Sequence, residues 1–239
     1  MTRLNPDFTG FVEELAEDTP TNREYVDAAV ATLEDCLPIL NSEEWENKEV
    51  WRLTQTNKTD DKLYTQILDD NRRLYALVAY LGYNGSVDQL FDELYKSAET
   101  MPEWNSDIEQ YYRVTAIGKQ TELVYLVTRE FLGGLVKQRG FLEVRCWRQI
   151  DGTYVGAQVS VRCSLIPKEK KIARGKNQGS IIRLRQTEEP NLFEFIWLTT
   201  TDTSKYKLSK MVLHRVITKS KLKYIRCLRK YLNLYSCST

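Results

Sequence analysis

The sequence contains one histidine, His214, in 239 residues, and that scarcity removes most hydrolytic and metal-centred chemistry at once. A Ser-His-Asp or Cys-His arrangement would have to use His214, which stands among basic neighbours near the C-terminal end. The cysteines, Cys36, Cys146, Cys163, Cys227 and Cys237, are odd in number, widely spread and without a CxxC pair, which reads as reduced thiols in the cytosol. No glycine-rich phosphate loop follows a strand, and Gly133-Gly134 reads as a flexible loop. The longest apolar run, residues 74–81, is far short of the roughly 20 residues a bilayer requires. The start Met1-Thr-Arg-Leu-Asn lacks a signal core, and Asp7, Glu13, Glu14, Glu17 and Asp18 argue against a mitochondrial presequence. Acid pairs such as Glu43-Glu44 and Glu188-Glu189 suit solvated turns and helix ends. The expectation is a soluble cytoplasmic protein that is not an enzyme and uses no metal or cofactor. A hydrolase reading would stand or fall on His214.

What is present is ordinary in bulk: 42% hydrophobic and 28% charged residues exclude disorder, collagen and coiled coil. The net charge of +1 hides a division. Residues 1–110 carry 24 Asp+Glu against 9 Lys+Arg, or −15, while residues 111–239 carry 25 Lys+Arg against 9 Asp+Glu, or +16. Either the basic half offers a face to nucleic acid or anionic lipid, or the two halves fold together and neutralise.

Residues 1–20 are acidic, poor in large apolar groups and marked by Pro6 and Pro20, which suggests a flexible tail ahead of one domain at 21–239. From Asn22 the apolar spacing is helical, through Tyr25, Ala29, Leu33, Leu37 and Leu40, with Pro38 expected to bend or end the helix. Strands are expected at 50–56, 62–68, 72–81, 111–117, 122–128, 141–150, 153–163, 180–186 and 192–200, with a short helix capped by Ser86. Gly118-Lys119 and Asp151-Gly152 sit at hairpin positions. A long final helix over 207–235 carries a broad apolar stripe, Leu208, Met211, Val212, Val216, Leu222, Ile225, Leu228 and Leu232, amid Lys and Arg, and no acid follows Asp202. A curved sheet of about nine strands with one long amphipathic helix has a natural packing solution, the helix lying across the concave face.

Arg145 departs from its surroundings. It lies in Phe141-Leu-Glu-Val-Arg-Cys-Trp147, a strand whose other residues suggest burial, and an unpaired buried guanidinium costs several kcal/mol. Either a neighbouring carboxylate or a cavity with water and a polar ligand group would satisfy it.

From Ile117 to Leu232 the sequence resembles the START lipid-transfer family, closest to its cholesterol-binding branch. Residues 117–161 resemble the paired strands around a glycine-containing loop and the Arg-x-Phe-hydrophobic-x-Val-Arg strand. Arg174-Gly-Lys-Asn-Gln-Gly179 resembles the RGxNGxG turn, and Phe195-Ile-Trp197, Thr201-Asp202 and Leu228-Arg-Lys-Tyr-Leu232 resemble the FxW, TD and LRxxL elements. Residues 23–104, including Trp45 and Trp104, are compatible with the same domain. The resemblance implies an α+β helix-grip fold, the curved sheet gripping the last helix around an apolar tunnel, and a monomer carrying one sterol between membranes. Carotenoid, bound by insect members of the branch, is the other cargo.

By the same resemblance Arg145 matches the tunnel arginine, but its usual acid on the preceding strand is replaced by Leu126. Arg145 then pairs with Glu143, meets a ligand hydroxyl through water, or turns toward the opening. Leu126, Trp147, Asn177, Met211, Val212 and Val216 would line the tunnel, Gly133 and Gly134 would form its gate, and Lys219, Lys223 and Arg226 would dock on anionic membrane. The rival from another class is a basic module binding nucleic acid or an acidic partner, without lipid.

Overall fold

In the computed structural model the described residues are 13–42, 47, 49–57, 59–68, 72–163, 166, 171–202 and 209–236. Outside them fall the first twelve residues of the expected tail, the pair Glu43-Glu44, Trp45, residues 168–170 of a basic run and the expected helix start at 207.

The elements run α1 (Pro20–Ser42), β1 (Arg52–Thr56), β2 (Lys62–Ile67), β3 (Arg72–Gly82), α2 (Val87–Phe91), α3 (Met101–Trp104), β4 (Ile108–Ala116), β5 (Thr121–Thr128), β6 (Arg139–Ile150), β7 (Thr153–Ser160), β8 (Ala173–Arg174), β9 (Ser180–Gln186), β10 (Leu192–Asp202) and α4 (Lys210–Ser236). One sheet has the order β1-β2-β3-β10-β9-β7-β6-β5-β4, antiparallel along that path, with short β8 added in parallel beside β6. Its two ends carry register shifts, at Leu53/Gln55 and in β4, and such bulges bend strands and help the sheet curl. The β6–β7 hairpin turns on Asp151 and Gly152, both at positive φ (48° and 74°), as the tight turn preferred by right-twisted strands demands.

Strand alternation gives the sheet two apolar faces. On the convex face α1 packs against β6, β7 and β9, and Ala29, Leu33, Leu37 and Leu40 meet Tyr125, Val144, Val155, Ile181 and Leu198 in a solid core. The helix passes through Pro38 instead of ending there. Pro38 faces solvent, so water can satisfy the carbonyl it orphans, while buried Leu37 and Leu40 hold the turn in place. On the concave face α2, with the π-helical turn Asp92–Lys96 that extends it, covers one end through Leu90, Phe91, Leu94 and Tyr95. Beside it runs α4, whose Leu222, Ile225, Leu228, Tyr231 and Leu232 join the same cluster, the Tyr231 hydroxyl donating to Glu93 at 3.0 Å. Ser209 caps α4, its hydroxyl accepting from the Val212 amide at 3.3 Å.

The opposed charges of the two halves pair across the fold, some of them buried and others at its surface. Glu13 pairs with Arg148, Glu14 with Lys119, Asp61 with Arg229, Asp107 with Lys223 and Glu109 with Arg129, each pair joining the acidic half to the basic one. Glu13 also accepts from the Gln120 amide and the Thr121 hydroxyl, both at 2.9 Å, so the stretch expected as a tail is docked from residue 13 onward.

Candidate functional site

Between the concave face and the first half of α4 lies a cavity of about 340 Å³. This falls within the ~300–1,000 Å³ usual for small-molecule sites. Its wall is mainly apolar, with Leu126, Phe141, Ile182, Phe195 and Trp197 from the sheet opposite Leu213, Val216, Ile217 and Tyr224 from α4. A polar row crosses this floor. Strand register sets Arg145 opposite Gln158, Gln158 opposite Ser180 and Ser180 opposite Thr199, so the four share a face across β6, β7, β9 and β10.

Arg145 is buried, and each of its three side-chain nitrogens is engaged by protein. Its Nε donates to Glu122 Oε1 at 2.5 Å, Nη1 to the Tyr111 hydroxyl at 2.9 Å and Nη2 to the Tyr95 carbonyl at 2.7 Å. The guanidinium also lies over the Tyr95 ring, 4.1 Å from its centroid. Burial alone would loosen its proton, but the surrounding Tyr111, Tyr95 and Glu122 more than offset that and keep it charged. The preceding strand therefore does supply an acid. It is Glu122, directly opposite Arg145 in the β5–β6 register, and not a residue at the Leu126 position, which faces Phe141 and lines the cavity.

Glu143 serves a different set of groups. Its carboxyl accepts from the Gln158 side-chain amide, and Asn177 holds the same corner by donating to the Gln158 carbonyl and the Ser180 hydroxyl, at 3.3 and 3.2 Å. Burial pushes the Glu143 carboxyl up to about 7, against the pull of Gln158, Asn177 and Arg145.

The remaining expected residues divide. Asn177 and Val216 line the cavity; Trp147, Met211 and Val212 do not. Trp147 shares the strand parity of Arg145 but is covered by α2, packing on Phe91 and Tyr154 with ring centroids 5.1 and 5.9 Å away. Met211 is 78% exposed and, with Val212, Arg215, Val216 and Lys219, meets Leu132 in a shallow outer groove. The loop carrying Gly133 and Gly134 thus does lie against α4, with Leu132, Gly133 and Gly134 all at positive φ (54°, 64° and 89°). Of the three expected docking cations, Lys219 and Arg226 are exposed, but Lys223 is tied to Asp107. His214 stacks on Tyr75, its Nδ1 3.2 Å from the hydroxyl, and burial lowers its proton affinity. No group of three or more metal-binding side chains occurs among the described residues.

The polar residues at the site that escaped the reading of the sequence include Glu122, Tyr111, Tyr95 and Lys221. For Lys221 a signal existed, since positions 213, 217, 221, 224 and 228 share one helical face on which the lysine interrupts an otherwise apolar series. It is buried, its Nζ donates to Thr199 Oγ1 at 2.9 Å, and that nitrogen lies 3.5 Å from the Trp197 ring centroid.

Comparison with known proteins agrees with this architecture. Residues 32–237 match the START domain. Golden hamster (Mesocricetus auratus) mitochondrial steroidogenic acute regulatory protein is 24% identical over 215 residues, 90% of this chain and 73% of that protein. The human (Homo sapiens) protein of the same name is 24% identical over 193 residues, 80% and 67% of the two chains. Human StAR-related lipid transfer protein 5 superposes with a TM-score of 0.78 at 14% identity, covering 90% of this chain and 99% of that one, so the fold is shared.

Proposed function

The chain belongs to the START domain family, and on that premise we propose that it is a non-enzymatic carrier that holds one sterol or carotenoid molecule in the cavity beneath α4 and moves it between membranes. The observation that carries this reading is the cavity: an apolar space with a few convergent polar groups, closed on one side by the last helix. Enclosing a few hundred Å² of lipid at ~25 cal/mol per Å² stabilises the bound state by roughly 8 to 12 kcal/mol before entropy losses, enough to compete with a bilayer. The volume, near the lower end for small-molecule sites, favours a compact sterol over an extended carotenoid.

Exposed Leu132, Leu135 and Met211 beside Arg215 and Lys219 form the docking surface, apolar groups entering the membrane while the cations meet anionic lipid. Movement of the Gly133-Gly134 loop or of the start of α4 there opens the cavity. No described helix is long and apolar enough to cross a membrane. The proposed carrier is a cytoplasmic monomer that touches membranes peripherally. The basic-module alternative loses support because Lys221, Lys223 and Arg229 are committed to internal contacts.

Organic extraction of purified protein, followed by mass spectrometry, tests the reading. One sterol or carotenoid per chain is the expected result; lipid-free protein that also fails to load from sterol-containing vesicles contradicts it.

A further inference from the structure

The polar wall of the cavity does not offer its hydrogen-bonding groups equally. Arg145 uses every nitrogen on Glu122, Tyr111 and Tyr95. Glu143, Gln158, Asn177 and Ser180 are bonded to one another. Lys221 differs. The residue lines the cavity at 3% exposure and has no carboxylate partner among the described residues, and its amine makes one hydrogen bond, to Thr199, beside its contact with the Trp197 ring. Burial alone acts on its proton affinity, which falls well below the ordinary amine value. With or without its extra proton, the nitrogen donates to an alcohol or a ketone oxygen placed beside it.

We propose that Lys221 is the group to which the cargo's polar end binds, and that the cavity therefore selects a lipid bearing an alcohol or ketone oxygen over the corresponding hydrocarbon. This inference rests on the carrier reading and narrows it. The lipid lies with its oxygen between Lys221 and the Thr199 side of the polar row and its hydrocarbon body along Leu126, Phe141, Ile182 and Val216. Arg145, locked into its own cage, shapes the wall without receiving the oxygen. Among sterols the rule favours cholesterol over cholestane; among carotenoids it favours a hydroxylated or keto form over its hydrocarbon parent.

A competition experiment on the full chain tests this. Delipidated protein is equilibrated with equimolar cholesterol and cholestane, and the bound lipids are extracted and quantified. The wild type is expected to retain cholesterol by at least about tenfold, the scale of leaving a buried polar group without its partner. Lys221→Met, close in length and apolar, brings the ratio to within about twofold while still loading cholestane, and Lys221→Gln, which restores a donor and an acceptor, recovers the preference. Equal loading of the two lipids by the wild type, or an undiminished preference in Lys221→Met, overturns the inference and leaves the carrier reading intact. Loading of neither sterol by the wild type, together with loading of neither member of a hydroxylated carotenoid and hydrocarbon-parent pair in the same assay, overturns both.

Discussion

The two halves of α4 face the same sheet and do opposite things. Its C-terminal half is nailed down: Ile225, Leu228 and Leu232 are fully buried, and Arg229 forms a two-pronged ion pair with Asp61, itself without solvent exposure, while donating to the Tyr80 carbonyl. Its N-terminal half spans empty space, with Leu213, Val216 and Ile217 looking into the cavity and Met211 projecting outward beside the glycine loop. On the proposed carrier reading, a helix built this way would keep its place in the fold while its first turns lift. Local opening draws on regions with few buried contacts, and here those regions border the cavity.

The sharpest way to break this contrast is at the anchor. Asp61→Ala leaves a partly buried guanidinium without its counter-charge and is expected to destabilise the protein by about 3 to 5 kcal/mol, read by chemical denaturation. A loss below about 1 kcal/mol would mean that α4 is not pinned there. Next in size is a matched pair of truncations. Leu228→Ala should cost about 2 to 5 kcal/mol because it opens a void in a packed cluster, whereas Val216→Ala, on a wall that already borders empty space, should cost under about 1 kcal/mol. Equal losses would erase the distinction between the halves.

Glu143 gives a smaller, pH-dependent effect. The folded carboxyl keeps its proton to about 7 while the unfolded one releases it near 4.5, so between those values the native state binds more protons. Its stabilising contribution is complete below about pH 4.5 and is lost as pH rises through about 7. Glu143→Gln should therefore gain on the wild type by roughly 2 to 3 kcal/mol at pH 8 and by little at pH 4.5. A constant difference across that range would show that the carboxyl is not held in its neutral form.

How far the sequence foretold this arrangement depends on the range of each interaction. The helices and strands were readable because period, caps and turn residues are local, and Asp151-Gly152 fixed a hairpin by itself. Arg145 was readable as a buried charge in need of a partner. Its partner was not, because β5 and β6 are joined by a long loop that leaves their register open, and assigning the acid's position to Leu126 missed Glu122 on the same strand. Met211 and Val212 were placed in the cavity because an apolar stripe shows that a helix has an inner face but not where along its length that face begins. Of the two outcomes expected at Pro38, ending the helix is excluded, because burial of the leucines beside it holds the turn in place.

Hydrogen exchange on the lipid-free and sterol-loaded protein tests the contrast directly. Residues 210–220 and the loop at 130–136 should exchange quickly without lipid and slow by at least about tenfold on loading, while residues 222–233 and α1 exchange slowly in both states. Uniform slowing along the whole of α4, or protection that appears only in α1, would contradict a cavity that opens at the start of the last helix.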